Sequence, residues 1–292
     1  MSRQPCIFGE VLFDQFPDGR RVLGGAPFNV AWHLQAFGEA PVFISRVGAD
    51  EDGANILGGM QKWGMDVVGM QTDEKLPSGR VQVNIIDNEP QYDIVHPVAW
   101  DAIELPQSIP DIKLLYHGSL ALRDDISRQA CRRLRDLSPS LIFVDVNLRS
   151  PWWDREQVLE GIYDADWVKL NRAELDQLIP GTQQIRLRAE VLLEKFGLQG
   201  LLITNGSHGA ELLTNTGEYL ATRPARDILI KDTVGAGDAM ASVMVLGILR
   251  GWPLARSLER AQEFASAMVG QRGATVQDMN FYNAFTDRWS GE

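Results

Sequence analysis

From about residue 112 onward the chain alternates short apolar runs with helix-like segments, and that rhythm confines it to a small set of folds. Residues 113–116, 141–146, 167–170 and 201–204 read as strands, with helices at 127–137, from about Glu156, at 173–178 and at 187–196. Strands joined through helices run parallel, because each return needs a crossover. The expectation is an α/β chain with a mainly parallel central sheet and helices on both faces. Residues 6–13, interrupted at Gly9-Glu10, and 42–47 add two strands, with helices at 30–37 and 54–63. One segment breaks the rhythm. Residues 79–86 alternate through Val81, Val83 and Ile85, and 92–98 can pair back across Asp87-Asn88-Glu89-Pro90. This predicts a hairpin exposed on one face, suited to a small lid. A second hairpin is expected from residues 210–213 with 218–220.

The stretch most suggestive of chemistry is Lys231-Asp232-Thr233-Val234-Gly235-Ala236-Gly237-Asp238-Ala239-Met240, followed by a buried-helix composition over 239–249. Its glycines fall at a helix N-terminus, where free N–H groups and the positive dipole end collect anions. Asp238 then sits beside any bound phosphate, where it would repel the anion, so its use is to take a proton from an attacking hydroxyl. An ordinary glycine loop with a helix-start Asp is the alternative. A dinucleotide fingerprint needs a third glycine where Met240 stands, and the chain has no Gly-x-x-x-x-Gly-Lys-Ser/Thr.

Composition sets the partner class. At 292 residues with 45% hydrophobic and 23% charged content, the chain fits one large α/β domain or one domain plus a small appendage. A net charge of −11 argues against nucleic acid or an anionic membrane as partner. Cys6 and Cys131 lie far apart, and His33, His96, His117 and His208 are scattered, so neither a disulfide framework nor a zinc site is expected. With a strand close to the N-terminus and no apolar run long enough to span a bilayer, a cytoplasmic location is the expectation.

Several predicted strands end in groups suited to a ligand, as open α/β sheets require. Asp14 closes the first, as a ligand contact or a turn residue. Gly24-Gly25-Ala26-Pro27-Phe28-Asn29 opens the next helix, with Asn29 offering a donor and an acceptor to a hydroxylated ligand, or only a cap. Arg149, after the 141–146 strand, could meet a substrate carboxylate or a surface acid. Asn171 with Glu174 has the spacing to hold a hydrated Mg²⁺ near phosphates, or to form a capping pair. Thr204 enters the backbone-rich loop Asn205-Gly206-Ser207-His208-Gly209.

Four stretches together resemble the ribokinase-like (phosphofructokinase-B type) carbohydrate kinases over nearly the whole chain. They are Gly24 to Ala31, Arg46-Val47-Gly48-Ala49-Asp50-Glu51-Asp52-Gly53, Asn171 with Glu174, and Asp232 to Asp238. The resemblance implies a ribokinase-like fold, with residues 1–9, 24–76 and 103–292 as the large α/β domain and 10–23 and 77–102 as the β lid. It implies ATP and Mg²⁺ as cofactors, Asp238 as general base, and the amides of Gly235, Ala236 and Gly237 as the anion hole. Asp14, Gly24, Gly25, Asn29 and Arg149 would hold the sugar. Asn171, Thr204, Gly206, Gly209, Gly235 and Gly237 would hold the nucleotide, Glu174 would hold Mg²⁺ through water, and Asp232 would border a monovalent-cation (K⁺) site. A homodimer through the lid is a further implication.

Gly24-Gly25-Ala26-Pro27, Tyr116-His117-Gly118-Ser119-Leu120 and Asp145-Val146-Asn147-Leu148-Arg149 look like the fructokinase branch, so phosphorylation of fructose on a primary hydroxyl is expected. A similar Asn-x-Arg occurs in 2-keto-3-deoxygluconate kinases, and a catalytically idle sensor on the same fold is the alternative from another class. The chain departs from the family at Ser242-Val243, at Gln262, and at 276–279, where a proline is missing. The last two leave nucleotide choice and K⁺ dependence open.

Overall fold

The computed structural model describes residues 4–291 apart from 87–88, 109–110, 138, 182–183 and 226–228. Its strands are β1 (Gln4–Phe8), β2 (Leu12–Gln15), β3 (Arg21–Gly24), β4 (Val42–Gly48), β5 (Met70–Asp73), β6 (Gly79–Ile86), β7 (Glu89–Ile94), β8 (Ile112–Gly118), β9 (Ile142–Asp145), β10 (Trp167–Asn171), β11 (Gly200–Thr204), β12 (Ala210–Thr214) and β13 (Tyr219–Thr222). The helices are α1 (Ala26–Ala36), α2 (Glu51–Lys62), α3 (Asp125–Asp136), α4 (Arg155–Ile162), α5 (Arg172–Leu178), α6 (Ile185–Phe196), α7 (Ala236–Arg250), α8 (Leu254–Met268) and α9 (Met279–Ser290).

Nine strands form the large sheet in the order β13-β12-β11-β10-β9-β8-β1-β4-β5, parallel except for the β11-β12-β13 edge. Strand alternation sorts its side chains onto two helical layers. Ile7, Phe43, Tyr116 and Phe143 pack with Phe28, Met240, Phe264 and Tyr282 of α1, α7, α8 and α9. Cys6, Phe8 and Leu115 pack with Cys131 and Leu134 of α3, while Val144, Val168 and Leu201 pack with α4, α5 and α6. The chain leaves β1 for β4 on one side and later returns to β8 on the other. β1 is therefore the switch point, beside which a crevice opens.

The expected first strand is in fact two strands in different sheets. Gly9, at φ +152°, comes so close to Pro27 that an added Cβ would lie 2.4 Å from its Cγ, and the turn there sends β2 away from β1. β2 joins a second, four-stranded sheet, β3-β2-β6-β7, the lid sheet. The expected hairpin forms within it, with Val81 opposite Ile94 and Val83 opposite Tyr92. Residues 87–88 of its expected turn lie outside the described residues, and Glu89 and Pro90 belong to β7.

The Arg46 to Gly53 stretch has a structural use at the root of this lid. Asp50 caps α2 through Gly53 N at 2.8 Å and accepts from Ser78 N (2.8 Å) and Ser78 Oγ (2.6 Å), just before β6 begins. A Cβ on Gly53 would lie 2.1 Å from the Gly48 carbonyl oxygen, so the turn accepts no larger residue. No helix of the described residues is long and apolar enough to cross a membrane. Cys6 and Cys131 are both free and buried.

Candidate active site

A cavity of about 1560 Å³, its open mouth included, lies at the carboxyl ends of β9, β10 and β11 and beneath the lid sheet. Eleven of the residues singled out from the sequence line it: Asp14, Gly24, Gly25, Asn29, Arg149, Asn171, Glu174, Thr204, Gly235, Gly237 and Asp238. The remaining four, Ala236, Gly206, Gly209 and Asp232, do not.

Gly235 caps α7 in the left-handed region at φ +81°, and a Cβ there would lie 2.4 Å from the Ala274 Cβ. Glycine is thus dictated by backbone and by packing. The turn it permits starts α7, whose first amides have no helical acceptors, beside the cavity that Gly235 and Gly237 line. Gly237 lies beside Lys169, whose Nζ would be 3.4 Å from an added Cβ. The Ala236 amide instead leans on the Thr233 carbonyl at 3.4 Å. Asp232 fastens the approach to this turn, accepting from Val234 N and Gly273 N at 3.0 Å each.

Asp238, in the first turn of α7, accepts from Asn29 Nδ2 at 2.7 Å, joining the two helix starts across 209 residues of sequence. Burial, then the charge of Asp145, pushes its pKa up to about 6 against the pull of Asn29, Lys169 and Arg149. Asn29 is 4% exposed and its Oδ1 is buried without a partner. That oxygen and Asp14 Oδ2 converge on Gly24, 3.8 and 3.7 Å from where a Cβ would be. Burial raises Asp14 to about 6 as well, although Arg149 opposes it. Arg149 is exposed at the mouth, bonded to the Leu148 carbonyl at 3.0 Å.

Beneath these groups lies a cluster that the sequence reading did not single out as part of the site. Lys169 and Asp145 are register partners on β10 and β9, and Lys169 Nζ reaches both carboxylate oxygens, at 2.7 and 2.8 Å. Tyr116 Oη donates to Asp145 Oδ2 at 2.9 Å. Burial alone would lower the Lys169 pKa, but Asp145 overcomes it and the ammonium is held charged. Glu10 also lines the cavity, 2% exposed with Oε2 unpartnered, and burial pushes it up to about 7. A signal for Asp145 and Lys169 was available: each is a charge inside an otherwise apolar parallel strand.

Asn171 and Glu174 form a complete capping box. Asn171 Oδ1 accepts from Glu174 N at 2.9 Å, and Glu174 accepts from Asn171 N (2.7 Å) and Leu148 N (2.8 Å), one amide per oxygen. The remaining lone pairs fit a hydrated Mg²⁺, in which water rather than the carboxylate touches the metal. Gly209 has its own structural reason, since a Cβ would lie 1.9 Å from the Thr222 carbonyl oxygen. Among the described residues, one His/Asp grouping has metal-like spacing, His96 with Asp101 and Asp124. Arg123 occupies both oxygens of that Asp101, so a cation is already present there.

A buried carboxylate, helix-start glycines beside a buried ammonium, and further polar side chains in one crevice suit phosphoryl transfer to an alcohol. Comparison with known proteins agrees. The family model described as "pfkB family carbohydrate kinase" matches residues 7–279. Aminoimidazole riboside kinase of Salmonella typhimurium is 30% identical over 291 residues, spanning 92% of this chain and 89% of that one. Fructokinase of Klebsiella pneumoniae is 28% identical over 302 residues, spanning 94% and 95%. The crystal structure of the Salmonella enterica aminoimidazole riboside kinase, complexed with aminoimidazole riboside and an ATP analog, superposes with a TM-score of 0.83 at 27% identity, covering 98% of this chain and 99% of that one. The chain belongs to the pfkB family of carbohydrate kinases and is an ATP-dependent sugar kinase of ribokinase-like fold.

Proposed function

We propose that the sugar is a free hexose, fructose, phosphorylated on its primary hydroxyl. The observation that supports this reading is the convergence of Asp14 and Asn29 on Gly24, with Asp238 bonded to the same Asn29, three polar side chains suited to a small polyhydroxylated ligand. Asn29 holds Asp238 Oδ2, which leaves Oδ1 to accept the hydroxyl proton. As the hydroxyl oxygen bonds the γ-phosphorus, the bond from phosphorus to the β,γ-bridging oxygen breaks. The proton passes to Asp238 and ADP leaves. The amides of Gly235 and Gly237, with the Lys169 ammonium beside them, face the charge that spreads over the transferring group. Mg²⁺, when bound, would neutralise phosphate charge, and Glu174 and Asn171 would order its waters. Asp232 and the loop it ties would border a monovalent cation such as K⁺. Closure of the lid sheet would exclude water as a competing acceptor.

A riboside is the second reading, favoured by one observation. Tyr92 of the lid lines the cavity and is 52% exposed, an aromatic side chain on which a base could stack. The aminoimidazole riboside kinase likeness supports the same reading. The test is ADP release with ATP and Mg²⁺ across fructose, aminoimidazole riboside, ribose and 2-keto-3-deoxygluconate. A kcat/KM for fructose at least tenfold above the others supports the hexose reading. Preference for the riboside replaces it, and preference for the sugar acid makes Arg149 a carboxylate anchor.

A further inference from the structure

The turn that opens α7 is braced from behind by a segment with no regular structure of its own. Residues 273–277 belong to no helix or strand, yet Ala274 is 3% exposed and packs on Gly235, where an added Cβ would lie 2.4 Å from the Ala274 Cβ and 2.5 Å from its Cα. Ala274 lines the reaction cavity together with Gly235 and Gly237. Side chains fix this segment at both ends. Gly273 N donates to Asp232 Oδ2 at 3.0 Å. The Val276 carbonyl accepts from Trp32 Nε1 at 2.9 Å and from Tyr282 Oη at 3.3 Å.

Tyr282, on α9, is buried, and its hydroxyl also lies 3.0 Å from Nδ1 of the equally buried His33. Burial lowers the His33 imidazole to about 3, with only the Ala274 backbone opposing, and burial also pushes the Tyr282 phenol up. Both groups are therefore neutral wherever Asp238 titrates, and the contact between them does not change with pH there. The Tyr282 ring sits among Phe37, Phe264 and Phe281, a setting in which the ring alone packs, so what the hydroxyl adds is the tie to Val276 and His33. Trp32 and His33 lie one helical turn along α1 from Asn29, which holds Asp238, so one face of α1 reaches both the base and the brace. We propose that Tyr282 is a positioning residue for phosphoryl transfer, its hydroxyl fixing through Val276 and Ala274 where the Gly235 turn stands. This rests on the reading of Gly235 and Gly237 as the cradle of the transferring group, and it holds for whichever sugar the kinase takes.

The test compares the wild-type protein with Tyr282→Phe, using the sugar that the substrate panel selects. kcat should fall about five- to tenfold, while KM for sugar and for ATP stays within about twofold. The rise of kcat with pH should keep its midpoint at about 6 and lose only its height, since neither Tyr282 nor His33 titrates there. With Mg²⁺ and sugar present, ADP with aluminium fluoride, which mimics the transferring group, should bind about five- to tenfold more weakly, and ADP alone as in wild type. Phe285→Leu is the control for a merely structural role. Phe285 is buried in the same helix against Phe264 and Phe281, so that variant should lose stability in urea and keep its kcat. If Tyr282→Phe does not fold, Trp32→Phe, which removes the other donor to Val276, decides by the same readings. Unchanged kcat and fluoroaluminate affinity in the variant, or an equal fall of kcat in Phe285→Leu, overturns the proposal. Wild-type protein that holds ADP with aluminium fluoride no tighter than ADP alone removes the cradle reading itself, and the proposal with it.

Discussion

The floor and the mouth of the reaction cavity are built on opposite principles. On the floor, Lys169, Asp145 and Tyr116 form one hydrogen-bonded group and Asn29 and Asp238 a second, with bonds of 2.7–2.9 Å, and four of the five residues are buried. At the mouth, Arg149 and Tyr92 are exposed, and Arg149 bonds the carbonyl of its own neighbour. A group interlocked with its neighbours is held for one step of chemistry, whereas a group held by little else is free to answer to the ligand. On the proposed reading the floor serves turnover and grips the sugar common to all substrates, and the mouth tunes the choice among sugars.

The sharpest way to break that contrast is Lys169→Met. It strands the Asp145 carboxylate, buried at 1% exposure, without its cation, and such losses typically cost about 3–5 kcal/mol. Urea unfolding should show a loss of that order, together with reduced kcat. Wild-type stability would mean that the floor is not an interlocked unit. Asp238→Asn comes next. It should lower kcat by a factor on the order of 10² or more with little change in sugar KM, since the lost interaction acts on the moving proton. Near-wild-type turnover would remove Asp238 as base.

The pH dependence gives a smaller, signed effect. With Asp238 raised to about 6, the free carboxylate that can take a proton appears only as pH rises through that value, and kcat should climb there. Stability should move the other way. The folded protein holds this proton more tightly than the unfolded chain, whose Asp titrates near the ordinary 3.8, so the contribution is full below about 4 and is lost as pH rises through 6. Asp238→Asn should flatten that slope, as urea unfolding at pH 4.5 and 7.5 would show. Asp14, also raised to about 6, should retain its share of the slope in the variant.

The same contrast explains what was legible in the sequence. The parallel sheet and the lid hairpin were readable because apolar alternation reports burial directly, as in Val81 and Val83 of β6. β3 and β5 were not, since Arg21-Val22-Leu23-Gly24 and Met70-Gln71-Thr72-Asp73 are short edge strands with little buried surface. The helices α8 and α9 also went unread, although Phe264, Tyr282 and Phe285 make them part of the core. Asn29 and Asp238 could be proposed singly. Their hydrogen bond could not, because it depends on α1 and α7 packing side by side, which no local pattern encodes. Glu10 was read as a strand interruption, and its buried, unpartnered carboxyl follows from the turn at Gly9.

The smallest expected effect sharpens the comparison most. Arg149→Ala removes an exposed side chain whose hydrogen bond goes to the adjacent Leu148 carbonyl, so stability should change by no more than about 0.5 kcal/mol. If the mouth governs choice of sugar, kcat should stay within about threefold while sugar KM rises several-fold, a loss of binding common to ground and transition states. A sugar acid as substrate would enlarge that rise toward a hundredfold, since an arginine–carboxylate contact would be lost. A fall in kcat with KM unchanged would instead place Arg149 on the transferring phosphoryl group. That result would move it from the mouth to the floor and erase the division between them.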